Sequence, residues 1–144
     1  MNRVLLVGGA SSFSIAILHI AIIIGGADWY RFFGAGEKIA TLAEQGSWVP
    51  GLLTFGISII FFIWGLYALS GAGKIRRLPF LRLALVIISA IYLARGLCFL
   101  PVFFFKPEII DSLLVWSSLV SFIVGLAYVI GTRQVWLSLS VNNT

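Results

Sequence analysis

Four long apolar runs constrain the fold of this chain more than any other feature. They cover residues 4–26, 48–69, 81–104 and 112–132. Each holds about 20 residues, and a helix of that length spans a hydrocarbon layer of roughly 30 Å. Lipid cannot satisfy the open edge of a strand, and the sequence lacks the alternating segments of about ten residues that build a membrane barrel. We therefore predict an all-α integral membrane four-helix bundle, one transmembrane domain over residues 1–144.

The composition agrees with lipid as the main solvent. Charged residues make up 10% of the chain and hydrophobic residues 60%, whereas soluble domains carry roughly 25% charged residues. The net charge of +5 comes from basic residues that mostly flank the apolar runs. This arrangement indicates topology signals and anionic lipid headgroups rather than nucleic acid. The first run exceeds the roughly 7–15 apolar residues of a signal peptide, so we expect it to remain as a helix.

The flanking charges predict an orientation. One side of the predicted membrane carries six basic residues: Arg3, Lys74, Arg76, Arg77, Arg82 and Arg133. The other side carries three basic residues and all five acids: Arg31, Lys38 and Lys106, with Asp28, Glu37, Glu44, Glu108 and Asp111. Because basic flanks stay in the cytoplasm, we expect a multi-pass protein of a bacterial inner membrane with both termini cytoplasmic.

The first outer loop has its own pattern. Its aromatic residues fit the headgroup level of a bilayer: Trp29, Tyr30, Phe32, Phe33 and Trp48. Residues 37–45 then place Ile39, Leu42 and Ala43 on one helical face and polar residues on another. We predict a short amphipathic helix at the outer interface. It would be a plain connector or a lid over the bundle.

Cofactor chemistry has little support in the sequence. One histidine cannot supply both axial ligands of a haem, and Cys98 alone excludes an internal disulfide or a cysteine-based metal cage. Phosphate-binding loops, dinucleotide fingerprints and HExxH motifs are missing. We expect no cofactor and no metal, and a buried thiol at Cys98 because it lies in an apolar run.

Polar residues inside the spans are the candidate site. Arg95 lies within the third run, where a guanidinium costs about 2.5–3.5 kcal/mol near the bilayer centre. We expect it to face the bundle interior or an aqueous cavity, together with Tyr92 and Ser89, which share roughly one helical face. No carboxylate lies within the spans. The partner of Arg95 would be a loop carboxylate, backbone carbonyls or an anionic ligand.

Depth within the membrane groups further residues with Arg95. Counting inward from the outer ends of the runs places a histidine and several hydroxyls in one layer of the outer half: His19, Thr54, Ser58, Ser117, Ser118 and Ser121. Turned inward, this layer would form a polar pocket that opens outward. We predict ligand-binding residues at His19, Ser58, Tyr92, Arg95, Ser117 and Ser121. The alternative is that the hydroxyls join helices and Arg95 extends to the headgroups.

Two stretches carry a resemblance. They are Leu18-His19 followed by Gly25-Gly26, and the run 92–97, Tyr-Leu-Ala-Arg-Gly-Leu. This layout resembles small four-helix bacterial inner-membrane proteins of unassigned function, with a histidine late in the first helix and an arginine late in the third. The resemblance implies that His19 and Arg95 act together.

Three functions remain open from the sequence. The first is binding or transport of a small anionic or amphipathic ligand, such as an anion, a lipid or a quinone; transport would favour a homodimer. The second is a structural or accessory subunit that contacts a partner membrane protein. The third is an intramembrane enzyme, for which Ser117 or Ser121 near His19 would be the nucleophile and base.

Overall fold

The computed structural model describes residues 1–140. Four of its helical segments are long and apolar enough to cross a membrane: Arg3–Gly25, Val49–Gly71, Leu81–Phe105 and Ser112–Leu139. Within the described residues no strand occurs. The chain is therefore a multi-pass membrane protein of the all-α class, consistent with the predicted four-helix bundle. The last part of the predicted domain, residues 141–144 with the C-terminus, lies outside the described residues.

Short connections join the helices along the chain. They are α1 (Arg3–Gly25), α2 (Ala27–Phe32), α3 (Glu37–Glu44), α4 (Val49–Gly71), α5 (Leu81–Leu97), α6 (Phe99–Phe105) and α7 (Ser112–Ser140), with a 3-10 turn at Pro107–Ile109. Side chains accept backbone N–H groups at three helix starts. The Asn2 amide oxygen accepts the Leu5 N–H at 2.8 Å, the Ser47 hydroxyl accepts the Val49 N–H at 3.3 Å, and an Asp111 carboxylate oxygen accepts the Leu114 N–H at 2.7 Å. These caps satisfy N–H groups that a helix start leaves without partners.

The third and fourth runs differ from their predicted bounds. The third is interrupted at Cys98, between α5 and α6. Pro101 explains the break, because its ring clashes with the carbonyl four residues earlier, at Leu97, where α5 ends. The fourth was predicted to end at residue 132, but α7 continues to Ser140. Hydropathy marks where lipid contact ends, whereas Arg133 and Gln134 are good helix formers and let the helix continue.

Large apolar side chains cover the outer surfaces of the spanning helices. Ile17 is 69% exposed, Leu53 54% and Ile123 57%. In water such a surface would be unfavourable, but in a bilayer these side chains meet acyl chains. Their exposure agrees with the membrane assignment.

The chain divides into two compact units, one of which is Ser12–Ile63. It contains α2 and α3, and its core joins Ile22, Tyr30 and Ala40. The predicted amphipathic helix at residues 37–45 is confirmed as α3, and Ile39 and Ala43 pack against this core. Residues 27–32, predicted as an aromatic segment, also form a helix, with Trp29 and Phe32 exposed and Tyr30 buried.

The other unit comprises Met1–Ser11 and the chain from Trp64 onward. Within it, α5 packs along α7 through a buried line on α5: Leu81, Leu85, Ile88, Ser89, Tyr92 and Gly96. This helix pair holds Arg95 and three of the predicted site residues.

Candidate functional site

Two glycines bring the backbones of α5 and α7 together. A Cβ atom on Gly96 would lie 2.6 Å from the backbone nitrogen of Phe122, and one on Gly125 would lie 3.0 Å from the backbone nitrogen of Leu93. Real side chains do not fit at such distances without backbone movement. Membrane helices use glycines for this kind of close approach. The approach places α7 beside Arg95, the residue preceding Gly96.

Arg95 crosses from α5 to α7 through two serines. Its Nη1 donates to the Ser118 hydroxyl at 3.0 Å, and its Nη2 donates to the Ser117 hydroxyl at 3.0 Å. A longer contact of 3.8 Å joins Nη1 to the sulfur of Cys98. Ser118 is buried and Ser117 half-buried. The structure thus joins Arg95 to Ser117, which the sequence predicted as a site residue, and to Ser118, which it placed in the same layer.

Arg95 itself is exposed, so it does not face the bundle interior; the other expectation, an aqueous cavity, stays a prediction. It lies at the edge of the buried line of α5, and its side chain reaches over the gap to α7. Cys98 is also exposed, so the predicted buried thiol is wrong. Both differences have one cause: the packing face of α5 follows Tyr92 and Gly96, which leaves the residues beside this face at the surface.

No carboxylate neutralises Arg95 among the described residues, where every ion pair involves Arg31. Asp111, a loop carboxylate just before α7, caps the start of that helix. The guanidinium carries five N–H donors. Its Nε–H has no protein partner in the described part of the chain. The site therefore keeps a full positive charge and at least one hydrogen-bond donor that a ligand could use.

Tyr92 belongs to a buried aromatic cluster. Its ring stacks on Tyr128 with centroids 5.5 Å apart, and meets the edge of Trp64 at 5.1 Å. The Tyr128 hydroxyl donates to the Trp64 carbonyl at 3.0 Å. Tyr92 and Tyr128 are both buried, at 2% and 0% exposure. Tyr92 lies three residues, about one helical turn, before Arg95. Ser121 is half-buried, and no described hydrogen bond joins it to Arg95.

His19 and Ser58 lie in the unit Ser12–Ile63. The Ser58 hydroxyl donates to the Ala16 carbonyl at 2.9 Å and so joins α4 to α1. His19 Nδ1 lies 2.8 Å from the Ile15 carbonyl, and its ring lies 5.3 Å from that of Phe61. A carbonyl only accepts, so Nδ1 carries the proton and Nε2 is an acceptor in the neutral ring. The pocket shared by His19 and Arg95 stays a prediction.

A charged cluster within residues 28–44 is a feature that sequence reasoning missed. Arg31 donates from Nε and Nη2 to Glu37, with a shortest distance of 2.6 Å, and from Nη1 to Glu44 at 2.6 Å. Asp28 lies 3.6 Å away. The bond from Arg31 holds the pKa of each of the two glutamates below its usual range, and the glutamates raise the pKa of Arg31. We call these contacts of Arg31 with Glu37 and Glu44 the Arg31 clamp. The sequence contained a signal for it, because α2 and α3 are short and carry these opposite charges close together along the chain.

The described residues contain no group of three His, Cys, Asp or Glu side chains that could hold a metal ion. Comparisons of the chain with protein-family models, with curated proteins and with solved structures found no match.

Proposed function

We propose that this membrane protein binds a small anionic or amphipathic ligand at Arg95, from the outer side of a bacterial inner membrane. One observation carries the proposal: an exposed arginine on a membrane-spanning helix is held by two hydroxyls and has no carboxylate partner in the described structure. A charge left without a counter-ion in lipid is costly, and such residues mark functional sites. An anion would remove that cost.

The depth of the serines supports a ligand of the membrane interface. Ser117 and Ser118 come five and six residues after the first residue of α7, about 8–9 Å along the helix axis. Exposed apolar side chains lie one turn before Arg95, at Ile91, and directly before Ser117, at Trp116. An amphipathic anion could place its acid group on the guanidinium and its tail against these side chains. A lipid or a fatty acid fits this chemistry better than a fully hydrated inorganic ion.

The sequence prediction that Arg95 acts together with His19 is part of this proposal. The Nε2 atom of His19, left as an acceptor by the bond at Nδ1, could receive a hydrogen bond from a ligand hydroxyl. Cysteines introduced at positions 19 and 95 of a Cys98→Ser variant should crosslink with a short reagent if the two residues share a pocket. A separation well beyond that of neighbouring helices, roughly 8–10 Å between axes, would restrict the site to Arg95 and its serines.

The orientation is part of the proposal. The six-to-three excess of basic flanks supports cytoplasmic termini and an outer location for α2 and α3. Reporters active only in the cytoplasm should be active when fused after Thr144 or within residues 71–74, and inactive near Gly36. An inactive fusion after Thr144 would reject this orientation and the outward opening of the site.

The binding experiment measures thermal unfolding of the purified protein with fatty acids, anionic phospholipids, quinones and inorganic anions. We expect at least one anionic class to raise the Tm of the wild type. Arg95→Leu should insert, because leucine is favourable in lipid, and should lose that shift. Arg95→Lys should keep part of it, since lysine lacks the planar guanidinium fork. Lys106→Leu, which removes an exposed basic residue of the outer loop, is the matched control and should behave like wild type.

The second candidate is an accessory subunit, and the exposure of Arg95 also favours it. A carboxylate of a partner membrane protein could neutralise the guanidinium as well as a ligand could. If no ligand class shifts the Tm of the wild type, while Arg95→Leu weakens association with a membrane partner, the accessory function replaces the ligand-binding one.

A further inference from the structure

A groove lies where α5 begins and α7 ends, and its volume is about 760 Å³. Its wall is mostly apolar and includes two arginines. The lining residues used below are Arg77, Phe80, Arg82, Val86, Trp136 and Leu139. The positive-inside pattern puts this end of the helices at the cytoplasmic surface, on the side opposite to the proposed Arg95 site.

The two arginines of the groove are held by neutral groups. The guanidinium carbon of Arg82 lies 3.5 Å from the ring centroid of Trp136, a cation–π contact. Arg77 donates to the carbonyls of Ser138 and Leu139 near the last described residues of α7. Neither arginine has a carboxylate partner in the described structure. Asp111 stands before the first residue of α7, about 35–40 Å of helix rise from Trp136.

The start of α5 adds to the positive character of the groove. Phe80 precedes this helix and provides no side-chain cap, so the first N–H groups of α5 lack the partner that Asn2 and Asp111 provide elsewhere. The positive end of the helix dipole lies at the same point. Phe80 has a φ of 53°, an unusual conformation for a bulky residue, and its side chain is 82% exposed.

We propose that this groove binds the headgroup of an anionic phospholipid of the cytoplasmic leaflet. The phosphate would lie between Arg82 and the start of α5, with Arg77 adding positive charge. The acyl chains would run along the exposed apolar surface formed by Phe80, Leu83 and Val86, which are 82%, 58% and 43% exposed. A free phosphate would leave this apolar surface unused. Basic pockets between membrane helices on the cytoplasmic side have the chemistry to bind anionic headgroups.

The two sites are separable by experiment. Arg82 is the second residue of α5, and Arg95 lies 13 residues later, about 20 Å along the helix. A variant of one should therefore leave the ligand response of the other unchanged. The phospholipid groove does not depend on the function proposed for Arg95.

The test counts bound lipid by native mass spectrometry of the full chain, released from detergent with phosphatidylglycerol or phosphatidylcholine of identical acyl chains. We expect preferential retention of phosphatidylglycerol, and no displacement by inorganic phosphate at the same concentration. Arg82→Gln should reduce retention about five-fold, because one basic residue near an anionic lipid surface contributes about that factor to binding. Arg133→Gln removes the same charge from an exposed position of α7 that does not line the groove, and should change retention less than two-fold.

Three results would overturn the proposal. Equal retention of both lipids would show a groove without headgroup preference. Equal losses in Arg82→Gln and Arg133→Gln would show diffuse attraction instead of a site. Displacement by inorganic phosphate would identify a phosphate site. If Arg82→Gln does not fold, Trp136→Leu keeps every charge and should lower retention about two-fold through the lost cation–π contact; unchanged retention would count against the groove.

Discussion

Arg31 and Arg95 differ in how their positive charges are balanced. Arg31 lies in an extramembrane loop and binds two glutamates at 2.6 Å each, with a third acid near by. Arg95 lies in a membrane-spanning segment, where a counter-ion matters most, yet its close partners are the hydroxyls of Ser117 and Ser118. The arginine in a membrane-spanning segment therefore has no carboxylate partner among the described residues, whereas the one between two spanning segments has several.

This difference separates a structural arginine from a candidate binding residue. At Arg31, Nε and Nη2 together hold one carboxylate, so the guanidinium fork is already filled. At Arg95 the serines orient the group without removing its charge, and Nε stays available within the described structure. An arginine that is positioned but not neutralised is suited to a ligand that brings its own negative charge.

The strongest way to break the comparison is to separate α5 from α7. Gly96→Ala would put a methyl group 2.6 Å from the backbone nitrogen of Phe122. Overpacking of this kind costs about 1–3 kcal/mol, so we expect a clearly lower Tm and loss of the ligand response at Arg95. The Arg31 clamp, formed by other helices, should survive. Gly56→Ala in α4 is the matched control, because a Cβ there meets nothing within 4 Å. Equal Tm values for the two variants would contradict the packing argument.

The next prediction gives Arg95 a carboxylate partner like those of Arg31. Ser117→Asp would put a carboxylate 3.0 Å or so from Nη2, in place of the present hydroxyl. The internal ion pair should compete with any external anion, and we expect ligand affinity to fall at least about ten-fold, or 1.4 kcal/mol. Ser117→Asn has nearly the same shape without the charge and should retain most of the affinity. Calorimetric titration of both variants measures the difference; a fall common to both would mean that the hydroxyl itself contacts the ligand.

The sequence predicted the class of fold because lipid leaves a chain few choices. Runs of about 20 apolar residues must become helices in lipid, and the amphipathic pattern of residues 37–45 predicted the short helix α3. The break at Cys98 was readable from Pro101 but was missed, because hydropathy averages across it. The extension of α7 past residue 132 was missed because hydropathy marks the end of lipid contact and not the end of the helix.

The site was harder to predict. The depth of a residue in the membrane follows from counting along its helix, but the rotation of the helix, which decides which neighbour the residue faces, does not. Counting placed Arg95 and Ser117 in one layer, and the structure joins them. It did not show that Tyr92 would pack against Tyr128, or that Ser58 would bond to Ala16, since hydropathy hardly varies around these helices. The glycines that fix the rotation, Gly96 and Gly125, act through contacts between distant parts of the chain. Sequence spacing alone does not show which helix they meet.

The smallest expected effect concerns acidity, which should act on Arg31 and not on Arg95. Arg31 lowers the pKa values of Glu37 and Glu44 below the ordinary value of 4.5. Groups with lowered pKa values stabilise the fold fully above that value and lose their contribution as pH falls through the lowered one. The contacts between α2 and α3 should therefore loosen below about pH 4, modestly because the cluster is exposed and screened by salt. Ser117 and Ser118 do not titrate, so their bonds to Arg95 should persist.

A nitroxide at Lys38, an exposed position on α3, measures this loosening. Its spectrum should sharpen on acidification from pH 7 to pH 3, because a helix released from Arg31 moves more freely. The double variant Glu37→Gln, Glu44→Gln should be mobile at both pH values, since it lacks the titrating groups. A nitroxide at Trp116, next to the serines that hold Arg95, should show no comparable change. Acid-induced mobility of equal size at both positions would mean that the whole fold loosens, and the contrast between a titratable clamp and a hydroxyl-held arginine would fail.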